Sequence, residues 1–116
     1  MQSISELLHE TKGHISELQT ILQESAGLVP RWLAEKIVAD AKQLNRMMHK
    51  QQTIMHSVDK KLESDLLSSI SKLKSSPAFI QALGDFQHNF ILALDRIETV
   101  ITKELPRVKK VEGGRA

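Results

Sequence analysis

The chain has no cysteine and no tyrosine, and only one tryptophan and three phenylalanines in 116 residues. Without cysteine there is no disulfide and no thiolate metal site, and a reducing compartment is permitted though not required. With so few aromatics, the 41% apolar content has to form an aliphatic core. The five glycines and three prolines are clustered, which is not the regular turn punctuation of a sheet protein. No apolar run approaches the ~18–20 residues of a membrane span. Glu6 and Glu10 stand where a secretory leader would carry a basic stretch and an apolar one, so no signal peptide is expected and the cytoplasm is the expected compartment.

What remains is a helical sequence. The length suits one domain with its own core, expected over residues 1–107, with 108–116 as a disordered basic tail containing Lys109 and Lys110. The expected class is all-α, an antiparallel helical bundle. Ser3-x-x-Glu6 is a capping box that opens a first helix over about 3–25. Its apolar stripe is Ile4, Leu7, Leu8, Ile15, Leu18 and Leu22, with Ile21 at the edge and Gly13 as an internal weak point. Ser76-Pro77 pairs an N-cap residue with a proline at the first helical position and opens a last helix over about 77–105, with Phe79, Leu83, Phe86, Phe90, Leu94, Ile97 and Ile101 on one face.

Between them, residues 30–76 contain no glycine and no internal proline. Apolar residues recur at Leu33, Ile37, Ala41, Leu44, Met48, Met55, Val58, Leu62, Leu66, Ile70 and Leu73 and keep one phase at about 100° per residue. Two arrangements fit: one long central helix over about 30–75, or two helices meeting near 49–53 in a compact four-helix bundle. The constant phase favours the long helix. Two shorter helices would each cover half of such a rod and leave two-helix layers that bury too little, so a homodimer is expected to complete the core. Residues 1–29 carry four acidic residues and one basic, whereas 30–50 carry Arg31, Lys36, Lys42, Arg46 and Lys50 against Glu35 and Asp40. The acidic first helix is therefore expected to lie on the basic segment, which uses part of the basic excess internally and argues against nucleic-acid binding.

Four apolar residues fall outside the stripes and are candidate partner-binding residues: Trp32, Ile80, Ile91 and Leu92. Trp32 is also expected to pack beneath the first turn between helices. His9 lies about 150° from the stripe of the first helix and should face water. With Lys12 and Gly13 beside it, it has the exposure, cation and small neighbour that a phosphoacceptor histidine needs. Glu6-Leu-Leu-His9-Glu-Thr-Lys12-Gly13 resembles the His-x-x-Lys-Gly of histidine phosphotransfer domains and the Glu-x-x-His-Arg-x-Lys-Asn box of sensor kinases. It departs from the kinase box at Glu10 and Gly13. The resemblance implies phosphotransfer with His9 as acceptor. Val29-Pro30-Arg31-Trp32-Leu33-Ala34-Glu35-Lys36-Ile37 resembles a Pro-x-Trp-Val-x-x-Lys-Ile helix opening in small phage-type proteins of unassigned role.

Glu6-x-x-His9 and Asp85-x-x-His88 mimic half of a di-iron set, but both histidines lie opposite their stripes and at different levels, and His49 with His56 is only a pair. No metal and no cofactor is expected. The function expected is a non-catalytic helical interaction module (an adaptor, chaperone or assembly factor) acting as a homodimer on a protein partner, away from membranes. The alternative is a small phosphotransfer protein using His9.

Overall fold

A computed structural model of the chain describes residues 3–24, 29–49 and 59–105. Among them every regular element is helical: α1 (Ile4–Glu24), α2 (Arg31–His49), α3 (Lys60–Lys74), α4 (Pro77–Leu83) and α5 (Gln87–Thr99). A 3₁₀ turn, Gly84–Phe86, joins α4 to α5, and a π-helical turn, Val100–Glu104, extends α5.

The caps follow the sequence. In α1 the Glu6 backbone N–H donates to Ser3 Oγ (3.1 Å), and the Ser3 N–H donates back to Glu6 Oε1 (3.4 Å). Ser76 Oγ accepts from the Phe79 N–H with Pro77 in the first turn. α3 opens on Asp59, whose carboxylate accepts from the Lys61 N–H at 3.0 Å, a cap that satisfies one of the orphan donors of a new helix.

That cap belongs to the first correction: α2 and α3 are not one rod. Neighbouring positions on α1 reach both, His14 to Asp40 at 2.6 Å and Lys12 to Asp65 at 3.1 Å. In a continuous helix Asp40 and Asp65 would stand ~37 Å apart, further than these side chains can bridge. α5 repeats the test, with Arg96 on Asn45 at 2.6 Å and Asp95 on Lys74 at 2.5 Å, whose continuous-helix separation would be ~43 Å. The chain therefore turns back between α2 and α3, as in the compact four-helix arrangement. The constant phase reflects two helices that each turn the same stripe inward. Met55, Val58, His56 and the expected tail lie outside the described residues.

The core is the predicted stripe, nearly residue for residue. Leu7, Leu8, Ile15 and Leu18 of α1 meet Leu33, Ile37 and Leu44 of α2, Leu66 and Ile70 of α3, and Phe90, Leu94 and Ile97 of α5, all essentially inaccessible to water. Thr11 fills the gap in the α1 stripe. It is buried, and its hydroxyl donates to the Leu7 carbonyl at 2.9 Å, which satisfies a polar group that would otherwise be costly there. At the end of α2 it is Met47 that is buried, with Met48 only half so. Because one subunit closes this core by itself, the half-clothed rod that called for a dimer does not exist.

The second correction is in the last helix, which bends. Gly84 has φ +56° and ψ −127°, a conformation that L side chains rarely adopt. The three phenylalanines gather at this bend: Phe79 meets Phe90 edge-on at 5.5 Å, and Phe86 stacks on Phe90 at 6.4 Å. The Arg31 guanidinium lies 4.5 Å from the Phe86 ring. With Arg31 against Phe86 at one end and Asn45 against Arg96 further along, α2 and α5 run side by side in the same direction.

The two described helical glycines differ in character. A Cβ at Gly13 or at Gly84 would meet nothing within 4 Å, so neither is held by packing. Gly13→Ala should stabilise the fold by about 1 kcal/mol, whereas Gly84→Ala should destabilise it by about 1–3 kcal/mol. Urea unfolding of the two variants checks the opposite signs.

Candidate functional site

The parallel run of α2 and α5 leaves an open groove enclosing about 470 Å³. Glu35, Val38, Ala39 and Lys42 form its α2 wall, and Leu92 and Arg96 stand on the α5 side. Positions 32, 35, 39 and 42 share one face of α2, so Trp32 stands one turn before Glu35 at the head of the groove. Two large apolar side chains stand out as exposed among the described residues, Trp32 at 51% and Leu92 at 53%. Leu92 lines the groove, whereas Trp32 stands outside the lining, one turn before Glu35 on α2.

The four candidate partner residues thus divide. Leu92 and Trp32 are both exposed, Leu92 in the lining of the groove and Trp32 on α2 just before it. The turn expected over Trp32 lies outside the described residues; the Trp32 side chain is half exposed, with the Lys36 ammonium 5.2 Å from its ring centroid. Ile80 is half-buried against the core. Ile91, also half-buried, lines a separate shallow depression with Gly84, Asp85 and His88. The charged members of the groove, Glu35, Lys42 and Arg96, were not singled out by the sequence. For Glu35 and Lys42 the available signal is their spacing from Trp32 along α2, in a segment whose charges were expected to lie against the acidic first helix; nothing local marks Arg96.

His9 is exposed, and the space beside Gly13 is clear. Lys12 is not free-standing: its ammonium pairs with Asp65 at 3.1 Å. His14, a neighbour the motif does not use, is the more engaged imidazole. Its Nδ1 lies 2.6 Å from Asp40 Oδ2, with only 25% and 13% of the two side chains exposed. Burial raises the Asp40 carboxyl above its ordinary value of 3.8, and the hydrogen bond and charge of His14 oppose this, with Thr11 lowering it and Glu10 raising it to smaller degrees. At these contacts α1 supplies the Lys12 ammonium and the His14 imidazole, and α3 and α2 supply the acids, so neither contact is the expected one of an α1 acid with a base of residues 30–50.

On the far side of α5, Lys74 sits between Asp95 and Glu98, 2.5 Å from each. The hydrogen bond to Asp95 first, and then that to Glu98, raises its pKa above 10.5. His49 and His88 are exposed, and His49 Nδ1 lies 2.9 Å from the Asn45 carbonyl. Among the described residues no three His, Cys, Asp or Glu side chains come together as a metal site, and no helix is long and apolar enough to cross a membrane. Comparison of the chain with family models, with curated proteins and with solved structures finds no match.

The Asp40 shift has a defined sign. A carboxyl raised in the folded state keeps its proton longer there than in the unfolded chain. Its contribution to stability is therefore fully present below 3.8 and is lost as pH rises through the folded value. Relative to Asp40→Asn, the wild type should lose stability as pH is raised across the window that opens at 3.8. Urea unfolding at a series of pH values reads this difference. A wild-type advantage that instead grows across that window would mean the His14 attraction outweighs burial.

Proposed function

We propose that the protein is a non-catalytic helical interaction module of the cytoplasm that pairs with a second copy of itself through the α2–α5 groove. The observation that carries this is the placement of Trp32 and Leu92, the two large apolar side chains exposed among the described residues, on the two helices that frame one groove. Single exposed apolar residues are ordinary, but apolar residues grouped on one face and rimmed by charge are the usual mark of a contact surface. The support for a dimer is this surface and its charges; core completion no longer supplies it. An adaptor, chaperone or assembly factor would act on its protein partner from such a paired scaffold.

The solution mass tests this. At on the order of 100 μM the wild type should scatter light as two chains, and Leu92→Asp should scatter as one while keeping its helical circular dichroism. A wild type that remains a single chain at that concentration excludes the proposal.

A second reading is favoured by the exposed His9 and the clear approach beside Gly13, namely histidine phosphotransfer with His9 as acceptor. Lys12 would have to leave Asp65 to meet the phosphoryl oxygens. Incubation with acetyl phosphate or a phosphorylated response regulator should then label the wild type and not His9→Ala. An unlabelled wild type, or a label that survives in His9→Ala, rules it out.

A further inference from the structure

We infer that the two copies meet head to foot about a two-fold axis, with Glu35 of each copy opposite Lys42 of the other. This rests on the pairing proposed above and adds its geometry.

The groove has a direction. Because α2 and α5 run the same way, both walls share a head, at Glu35 and Phe86, and a foot, at Lys42 and Arg96. The acid of the lining is at the head and the bases are at the foot. Two copies laid in the same direction would set Glu35 on Glu35 and Lys42 on Lys42, and like charges placed together at an interface are strongly unfavourable. Two copies related by a two-fold axis across the groove place head on foot, and the acid–base contact is made twice, as an isologous interface requires.

The middle of the groove fits that axis. Ala39 lies between Glu35 and Lys42 on the same face of α2, where a small side chain lets two helices come close. Leu92 stands opposite on α5, half exposed. The paired surface then has an apolar centre and charged ends, the common anatomy of protein interfaces. Trp32, one turn before Glu35, lies beyond the charged pair and covers the foot of the other copy.

The charges are available for this contact. Lys42 is exposed and has no ion-pair partner among the described residues. Glu35 has only Arg31, 3.6 Å away on the same helix, with both side chains more than half exposed; such a pair holds a carboxylate weakly. Arg96 is turned toward Asn45, which leaves Lys42 as the principal base at the foot.

Charge reversal tests the geometry directly. Glu35→Lys and Lys42→Glu should each weaken self-association by about tenfold or more, because each sets two like-charged contacts in a head-to-foot pair. An equimolar mixture of the two variants should associate again as a mixed dimer, and the double variant carrying both changes should regain self-association. Both substituted positions are exposed, and helical circular dichroism reads folding independently. Glu35→Gln and Lys42→Gln, which remove charge without reversing it, should weaken association more mildly. A dimeric wild type whose single variants associate normally, or whose mixture and double variant stay apart, overturns the head-to-foot geometry while leaving pairing through another surface. A monomeric wild type overturns both the geometry and the pairing.

Discussion

The molecule depends on covering a single long apolar stripe that α2 carries and α3 resumes. Laid end to end, those helices would present this stripe over a length that α1 and α5 could each cover only in part. Turned back on each other, they bring Leu33, Ile37 and Leu44 to the same interior as Leu62, Leu66 and Ile70. One α1 and one α5 then suffice to close it. The polar ties are consistent with this solution rather than its cause: Lys12 to Asp65 and Asn45 to Arg96 are at the more exposed margins, and His14 to Asp40 lies deeper between α1 and α2. Pairs so placed fix register more than they add stability.

The same closure creates the surface on which the proposed function rests. α5 runs parallel to α2 because the chain reverses twice between them, once between α2 and α3 and once at Ser75 and Ser76, and Arg31 resting on Phe86 ties the shared end. A parallel pair shares its ends, so its groove has a charged polarity that an antiparallel pair with mixed ends would tend to cancel. Leu92 is left in that groove, and Trp32 on α2 just before it, as off-stripe residues once the described stripe residues are wholly or partly inside. An outward apolar face is then what remains after the interior has been satisfied.

Much of the fold was legible in the sequence because its signals are local. The Ser3–Glu6 box, the Ser76-Pro77 opening and the 3.6-residue spacing each report on a few neighbouring residues, and the structure has them where the sequence put them. The continuity of the central stretch was not legible, since helical phase records which side of a helix faces inward and is silent on whether two inward-facing helices are collinear. Asp59 was the local sign of a new start, visible as a cap only once the helix after it is known to begin there. The bend at Gly84 was hidden because all the apolar residues around it still fall on one stripe. Of the candidate site, exposure of His9 and the off-stripe position of Leu92 could be read from the helical wheel, whereas Trp32 was expected to be covered and is half exposed. The pairing of His14 with Asp40, and the groove charges Glu35, Lys42 and Arg96, depend on which helices become neighbours, and no short stretch of sequence encodes that.

Gly13 has a consequence for how α1 comes apart. By intrinsic propensity it is the place where the helix should give way first. Yet the residues on either side of it, Lys12 and His14, are the ones tied to α3 and α2. Fraying that begins at Ile4 or at Glu24 therefore runs inward toward a clasp, and the residue least suited to a helix becomes the last to leave it. Evolution of α1 can keep a flexible, unobstructed notch on its outer side because neighbouring helices, and not its own backbone preference, hold that turn in shape.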